Sequence, residues 1–148
     1  MIAGKLNVLR ISGALMTLVD MSSEQRQDVS TAAMRAYPCI VGVWQLTEQD
    51  ASLLIGVSAQ TFRLWQANPE IASPDRAQLE RLSLILGIYK ALQILLPRSD
   101  TADSWLRRPN HHTLFSGQVP LEHLRSGLVS DLYAVRQYLE ARLGGDYT

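Results

Sequence analysis

Residues 46–65, LTEQDASLLIGVSAQTFRLW, decide how this chain is read. Thr47 can cap a helix that starts at Glu48, with Asp50 three residues on in the place of the usual Glu or Gln of a capping box. Ala51 and Ser52 are small where a second helix must cross closely, and Gly56 follows the apolar pair Leu54-Ile55, where a left-handed residue costs no Cβ clash. Val57 plugs the angle between the helices and Ser58 can cap the second one. Phe62 and Trp65, three apart, share an inward face, which turns Ala59, Gln60, Arg63 and Gln66 outward. The spacing predicts a helix-turn-helix. Such a pair offers the N-terminal half of its second helix to a DNA major groove, where Gln bonds adenine and Arg bonds guanine. Gln60 and Arg63 are therefore the base-reading candidates, with Thr47, Ser58, Thr61 and Gln66 completing the DNA-binding set. The competing reading is a packed pair of amphipathic helices that touches no nucleic acid.

Around this motif the chain has 148 residues, 47% of them hydrophobic, enough for one good core or two small ones. The formal net charge is zero, and it splits as +1 over residues 1–45, −1 over 46–97 and 0 over 98–148. There is no basic field to attract DNA. Phosphate neutralisation supplies much of DNA affinity, so a lone copy should bind weakly, and a dimer or larger assembly on paired half-sites is expected. Cys39 is the single cysteine, which excludes a disulfide framework and a cysteine-based metal site and agrees with a cytoplasmic setting.

Residues 1–21 carry an apolar run without the cleavage site of a signal peptide and too short to span a membrane; they are assigned to a surface strand or helix packed on the body. Ser23 to Ala36 reads as a short helix, capped by Ser22 or Ser23 and ended by Pro38, and Cys39 to Trp44 as an apolar lead into the motif. Trp44 and Leu46 are expected beneath the helix pair.

Beyond it, Ser73-Pro74 reads as the start of a long helix from Asp75 to about Leu96, roughly 33 Å at 1.5 Å per residue. From Leu79 onward that helix is apolar nearly all round, so it must be central. Lys90 and Gln93 argue against a membrane span. A short helix, Asp100 to Arg108, is expected under a Ser99 or Asp100 cap, then another at Leu121 to Ser126. The last, about Val129 to Leu143, carries the stripe Leu128, Leu132, Val135, Leu139 and Leu143 and ends at Gly144-Gly145. His111 and His112 are adjacent and point apart, and His123 is too distant to complete a metal spacing. Paired carboxylates, a phosphate loop or a nucleophile with its base are not recognisable, so the chain is read as no enzyme, with no cofactor and no metal.

The long helix, Trp105-Leu106-x-x-Pro109-Asn110, Leu114, Gly117-x-x-Pro120-Leu121, Leu124, Gly127, Val135, Leu139 and Gly144 together resemble the Xre/MbcA/ParS type toxin-binding domain of bacterial antitoxins. The likeness covers residues 46–148. It implies an all-α fold, a helix-turn-helix region over 46–73 followed by a small helical toxin-binding domain over 74–148 built on the long central helix, with 1–45 an N-terminal segment. It further implies a type II antitoxin that covers the NAD pocket of an NAD-consuming toxin with its C-terminal part and represses its own operon through the helix-turn-helix. The run from Asp131 looks like the branch partnered by RES-domain toxins, although Gly127 and Val135 lie eight apart where many relatives space them by about four. Arg136, Glu140 and Arg142 are candidates for the toxin rim, and Asp146, Tyr147 and Thr148 for a tail that enters the pocket. A stand-alone dimeric regulator whose C-terminal half only oligomerises is the alternative.

Overall fold

A computed structural model describes residues 22–145, and every regular element among them is helical. The expectations for residues 1–21 and for Asp146, Tyr147 and Thr148 lie outside the described residues. Helix α1 (Ser23–Val43) opens with a full capping box, in which Ser22 Oγ accepts from Gln25 N at 3.2 Å and Gln25 Oε1 accepts from Ser22 N at 3.0 Å. It does not stop at Pro38, as the sequence suggested, but continues through it. An interior proline costs about 3 kcal/mol. Tyr37, Ile40 and Trp44 are fully buried, and each such side chain contributes about 1.5–3 kcal/mol when withdrawn from water, so continuation wins. The true end is a Schellman motif around Gln45, which takes φ +54° while Leu46 N donates to Val41 O at 2.9 Å and Gln45 N to Gly42 O at 3.2 Å.

Helices α2 (Glu48–Ile55) and α3 (Ala59–Ala67) fall where the sequence put them. Thr47 Oγ1 accepts from Asp50 N at 3.1 Å, Ser58 Oγ accepts from Thr61 N at 3.0 Å, and Gly56 turns the chain at φ +76°. Phe62 and Trp65 are buried. A single 3-10 turn (Pro69–Ile71) leads to α4 (Arg76–Leu95). Its cap is Asp75 rather than Ser73: Asp75 Oδ1 accepts from Gln78 N at 2.8 Å and Gln78 Oε1 returns a bond to Asp75 N at 2.9 Å, leaving Pro74 outside the helix.

Helix α4 buries Leu79, Leu82, the whole run Leu84–Tyr89, Ala91 and Leu92, which makes it the axis of the molecule. Helix α5 (Ser99–Ser104) and a 3-10 turn (Trp105–Arg107) follow. Neither Ser99 nor Asp100 caps α5; Arg98 holds the cap position and draws the Asp100 carboxylate to itself, with bonds of 2.9 and 3.2 Å. The next loop is closed by Asn110 N donating to Gln118 O and Gly117 N donating to Asn110 O, at 3.0 and 2.9 Å.

Helix α6 (Pro120–Leu124) precedes α7 (Val129–Gly145), which packs along α4. Leu132, Val135 and Leu139 form the buried stripe of α7; Leu128, expected to join them, precedes the helix and is 58% exposed. The helix runs through Gly144 and Gly145 instead of ending before them. One continuous apolar cluster joins Ala33 of α1 to Leu139 of α7. No helix among the described residues is long and apolar enough to cross a membrane.

Candidate functional site

On the helix pair, Gln60, Arg63 and Gln66 of α3 are exposed, while Thr61 is half-buried and Thr47 and Ser58 are committed as caps. Ser58 Oγ also donates to Thr61 Oγ1 at 2.9 Å. Arg63 does not stand alone: its Nη1 lies 2.7 Å from Oε1 of Glu48 on α2, and both side chains remain about half exposed. An exposed pair of this kind is worth less than about 1 kcal/mol, so a phosphate or a guanine can compete for the guanidinium.

Asp50, which the sequence cast in the capping box, instead turns its carboxylate to Arg125 in the segment between α6 and α7. Arg125 also bonds Glu122, and its guanidinium pKa is pushed up, chiefly by the Asp50 hydrogen bonds. On the same side of the turn, Gln78 Nε2 donates to Gly56 O at 3.2 Å, and a Cβ at Gly56 would lie 3.3 Å from Arg81 Cδ and Nε. The positive Arg81 therefore rests at the negative end of α2. Beneath the pair, the Tyr37 hydroxyl donates to Ala51 O at 2.7 Å, and burial drives the phenol pKa far up; Tyr89, beside Trp44, is raised for the same reason.

Of the C-terminal candidates, Arg136 is only 14% exposed and lies across Gly87 of α4, where a Cβ would stand 2.6 Å from its Nε. Its Nε donates to Glu140 Oε1 at 2.9 Å, so Arg136 and Glu140 hold the α4–α7 crossing and Glu140 alone presents charge outward. Arg142 is exposed, with its guanidinium carbon 3.6 Å from the centroid of the Tyr138 ring. Tyr138 meets Phe115 and His112 edge-to-face, with ring centroids 5.2 and 4.6 Å apart, and lies tilted against Trp105 at 6.1 Å.

His112 and His123 serve packing. His112 Nδ1 accepts from Leu114 N, His123 stacks on Phe115 with its Nε2 3.2 Å from Asp131, and no cluster able to hold a metal occurs among the described residues. Sequence reasoning missed Arg125 and Tyr138, and it placed Trp105 in the family motif without a binding role. Tyr138 left a local trace, as a Tyr-x-x-x-Arg pair with Arg142 on one helix face.

The model of the antitoxin Xre/MbcA/ParS C-terminal toxin-binding domain matches residues 91–145, from the second half of α4 to the end of α7. Over these residues the chain is an Xre/MbcA/ParS type toxin-binding domain. That match takes in every described C-terminal candidate and the ring cluster around Tyr138. Over 115 residues the chain is also 40% identical to the uncharacterized protein y4oB of Sinorhizobium fredii (strain NBRC 101917 / NGR234), an alignment that covers 77% of this chain and 86% of the relative. This relative shares residues beyond the toxin-binding domain, since 115 aligned residues exceed its span.

Proposed function

We propose that the chain is the antitoxin of a type II toxin–antitoxin pair, acting in the cytoplasm, which binds a RES-domain toxin, blocks its NAD pocket and represses its own operon through α2 and α3. The observation that carries this reading is the toxin-binding match from the second half of α4 to the end of α7, with the exposed Arg142 and Glu140 and the half-buried Tyr138 gathered within it. In this division of labour residues 46–73 meet operator DNA, 74–148 meet the toxin, and 1–45 supply the supporting N-terminal segment. Thr47, Ser58, Gln60, Thr61, Arg63 and Gln66 form the DNA face. Arg136, Glu140, Arg142 and the tail Asp146, Tyr147 and Thr148 form the toxin face, with Arg136 acting chiefly by fixing α7 on α4. No catalytic role falls to the chain: it occupies a partner's pocket and supplies no chemistry.

Exposed Gln60, Arg63 and Gln66 on one capped helix support the DNA half, and the neutral net charge favours two copies bridged on one operator. Co-expression with the product of the adjacent gene tests the whole. The expected result is a co-purifying complex, restored growth and preserved cellular NAD. A chain that binds operator as a dimer yet neither rescues growth nor retains the toxin would be a stand-alone regulator.

A further inference from the structure

At the far end of the α4–α7 pair lies an open pocket of about 290 Å³. The buried Leu92 and Leu139 line it from below, Leu96 and the rings of Trp105 and Tyr138 form its sides, and Arg142 stands at its edge as the one charged lining residue. All of these positions fall inside the toxin-binding match. Arg142 makes no ion pair with a carboxylate of the described residues: it lies over Tyr138 and its Nη1 reaches Tyr138 O at 3.4 Å. Glu140, two residues away, is taken by Arg136.

We infer that this pocket receives an aromatic side chain of the toxin that has a carboxylate beside it on the same segment. The inference rests on the toxin-binding reading and names the chemistry the toxin must present. Small-molecule sites generally run from about 300 to 1,000 Å³, so this one suits a single side chain and is too small for a dinucleotide. Two tilted ring faces with leucines below favour a third ring over a flexible chain, because offset and edge-on ring contacts add to the apolar burial. The charge requirement comes from Arg142. A guanidinium resting on a tyrosine ring loses little by pivoting to a carboxylate, which gives it charge-assisted bonds in place of the π contact. Trp, Tyr and Arg around an apolar hollow are also the residue types on which binding energy concentrates.

Two measurements test this. In the first, the full chain, isotopically labelled, is titrated with 4-phenylbutyrate and separately with uncharged 4-phenyl-1-butanol. The carboxylate should move the Trp105 indole and the Leu96 and Arg142 amides, and should bind at least about fivefold more tightly than the alcohol, a preference that Arg142→Glu abolishes. Shifts located elsewhere, or equal for both compounds, overturn the pocket's proposed chemistry. The same resonances moving with protein concentration alone would seat a second copy there and overturn the toxin as occupant.

In the second, affinity for the co-expressed toxin is compared among the wild-type chain, Arg142→Glu and Leu96→Ser. Both variants should weaken the complex about tenfold or more with unchanged operator binding, the reporter that the fold persists. Full affinity in both variants overturns the pocket and leaves the antitoxin reading intact. A wild-type chain that retains no toxin removes both.

Discussion

Arg125 meets Asp50 side-on, Nε donating to Oδ1 at 3.2 Å and Nη2 to Oδ2 at 3.1 Å, and so ties the first helix of the helix pair to the toxin-binding domain across 75 residues of sequence. Asp50 is 13% exposed and Arg125 38%, which places the pair between surface and interior. Bidentate geometry and partial shelter lift it above an ordinary surface bridge. Arg125→Ala should lower stability by about 1–2 kcal/mol, read as a shifted denaturant midpoint with an unchanged slope. Asp50→Asn, which keeps the shape and loses the charge, should cost less. Equal midpoints for wild type and Arg125→Ala would reduce the contact to decoration.

High pH should act through Tyr37. Its pKa is raised in the folded state by burial, with the negative Asp50 a smaller contribution, and its hydroxyl donates to Ala51 O. A phenol whose folded pKa exceeds its unfolded value of about 10 gives its full stabilisation below that pH and loses it progressively as pH rises. Tyr89 titrates in the same direction. Melting temperature should therefore be insensitive to these two groups up to about pH 9 and fall above about pH 10. Tyr37→Phe should cost about 0.5–1.5 kcal/mol at neutral pH and flatten that alkaline decline. A decline as steep in the variant as in wild type would assign it to other groups.

At the α4–α7 crossing, Gly87 and Arg136 should be energetically coupled. Alanine in the middle of a helix is favoured over glycine by about 0.8–1 kcal/mol, but here its Cβ would meet Arg136 Nε at 2.6 Å. In wild type, displacement of the guanidinium from Glu140 and from Ser83 O offsets that gain. With Arg136 already replaced by Ala, Gly87→Ala should express its full stabilisation. A double-mutant cycle without coupling would show that Arg136 moves aside at no cost.

For operator binding, Glu48 and Arg63 should act in opposite directions. Arg63→Ala should weaken specific binding by about 1–3 kcal/mol if its guanidinium reads a base. Glu48→Gln frees the same guanidinium and removes a negative charge from the DNA side, so it should tighten binding and lower its selectivity. Gel shifts unaffected by both changes would move the DNA face away from α3.

Local chemistry made much of this fold readable. Thr47, Gly56 and Ser58 are residues whose side chains, or lack of one, satisfy backbone groups wherever they stand, and α2 and α3 appeared where those rules put them. The all-round apolar character of Leu79 to Leu92 likewise announced a central helix. Features set by distant partners were not readable. Pro38 lies inside a helix because Tyr37 and Ile40 are needed in the core, and Gln45 does the work usually given to glycine. Asp50 keeps its backbone bond to the Thr47 cap, but its carboxylate goes to a partner at position 125. Among the site residues, Arg142 was legible as a charge, but its seat on Tyr138 and the hollow beside Trp105 exist only once α4, α5 and α7 converge.

The shared core also limits how such a protein can diversify. Tyr37 of α1 bonds Ala51 of α2 and packs edge-on against Phe62 of α3, while Trp44 at the end of α1 packs against Tyr89 of α4. No cut between residues 46–73 and the rest leaves the Tyr37 contacts whole. Recombination that exchanged the helix pair between lineages would take from the Tyr37 phenol both of these partners, at several kcal/mol out of the about 5–15 that a domain of ordinary stability possesses. Change is therefore confined to the outer face of α3 and to the rim of the Arg142 hollow, with the interior inherited intact.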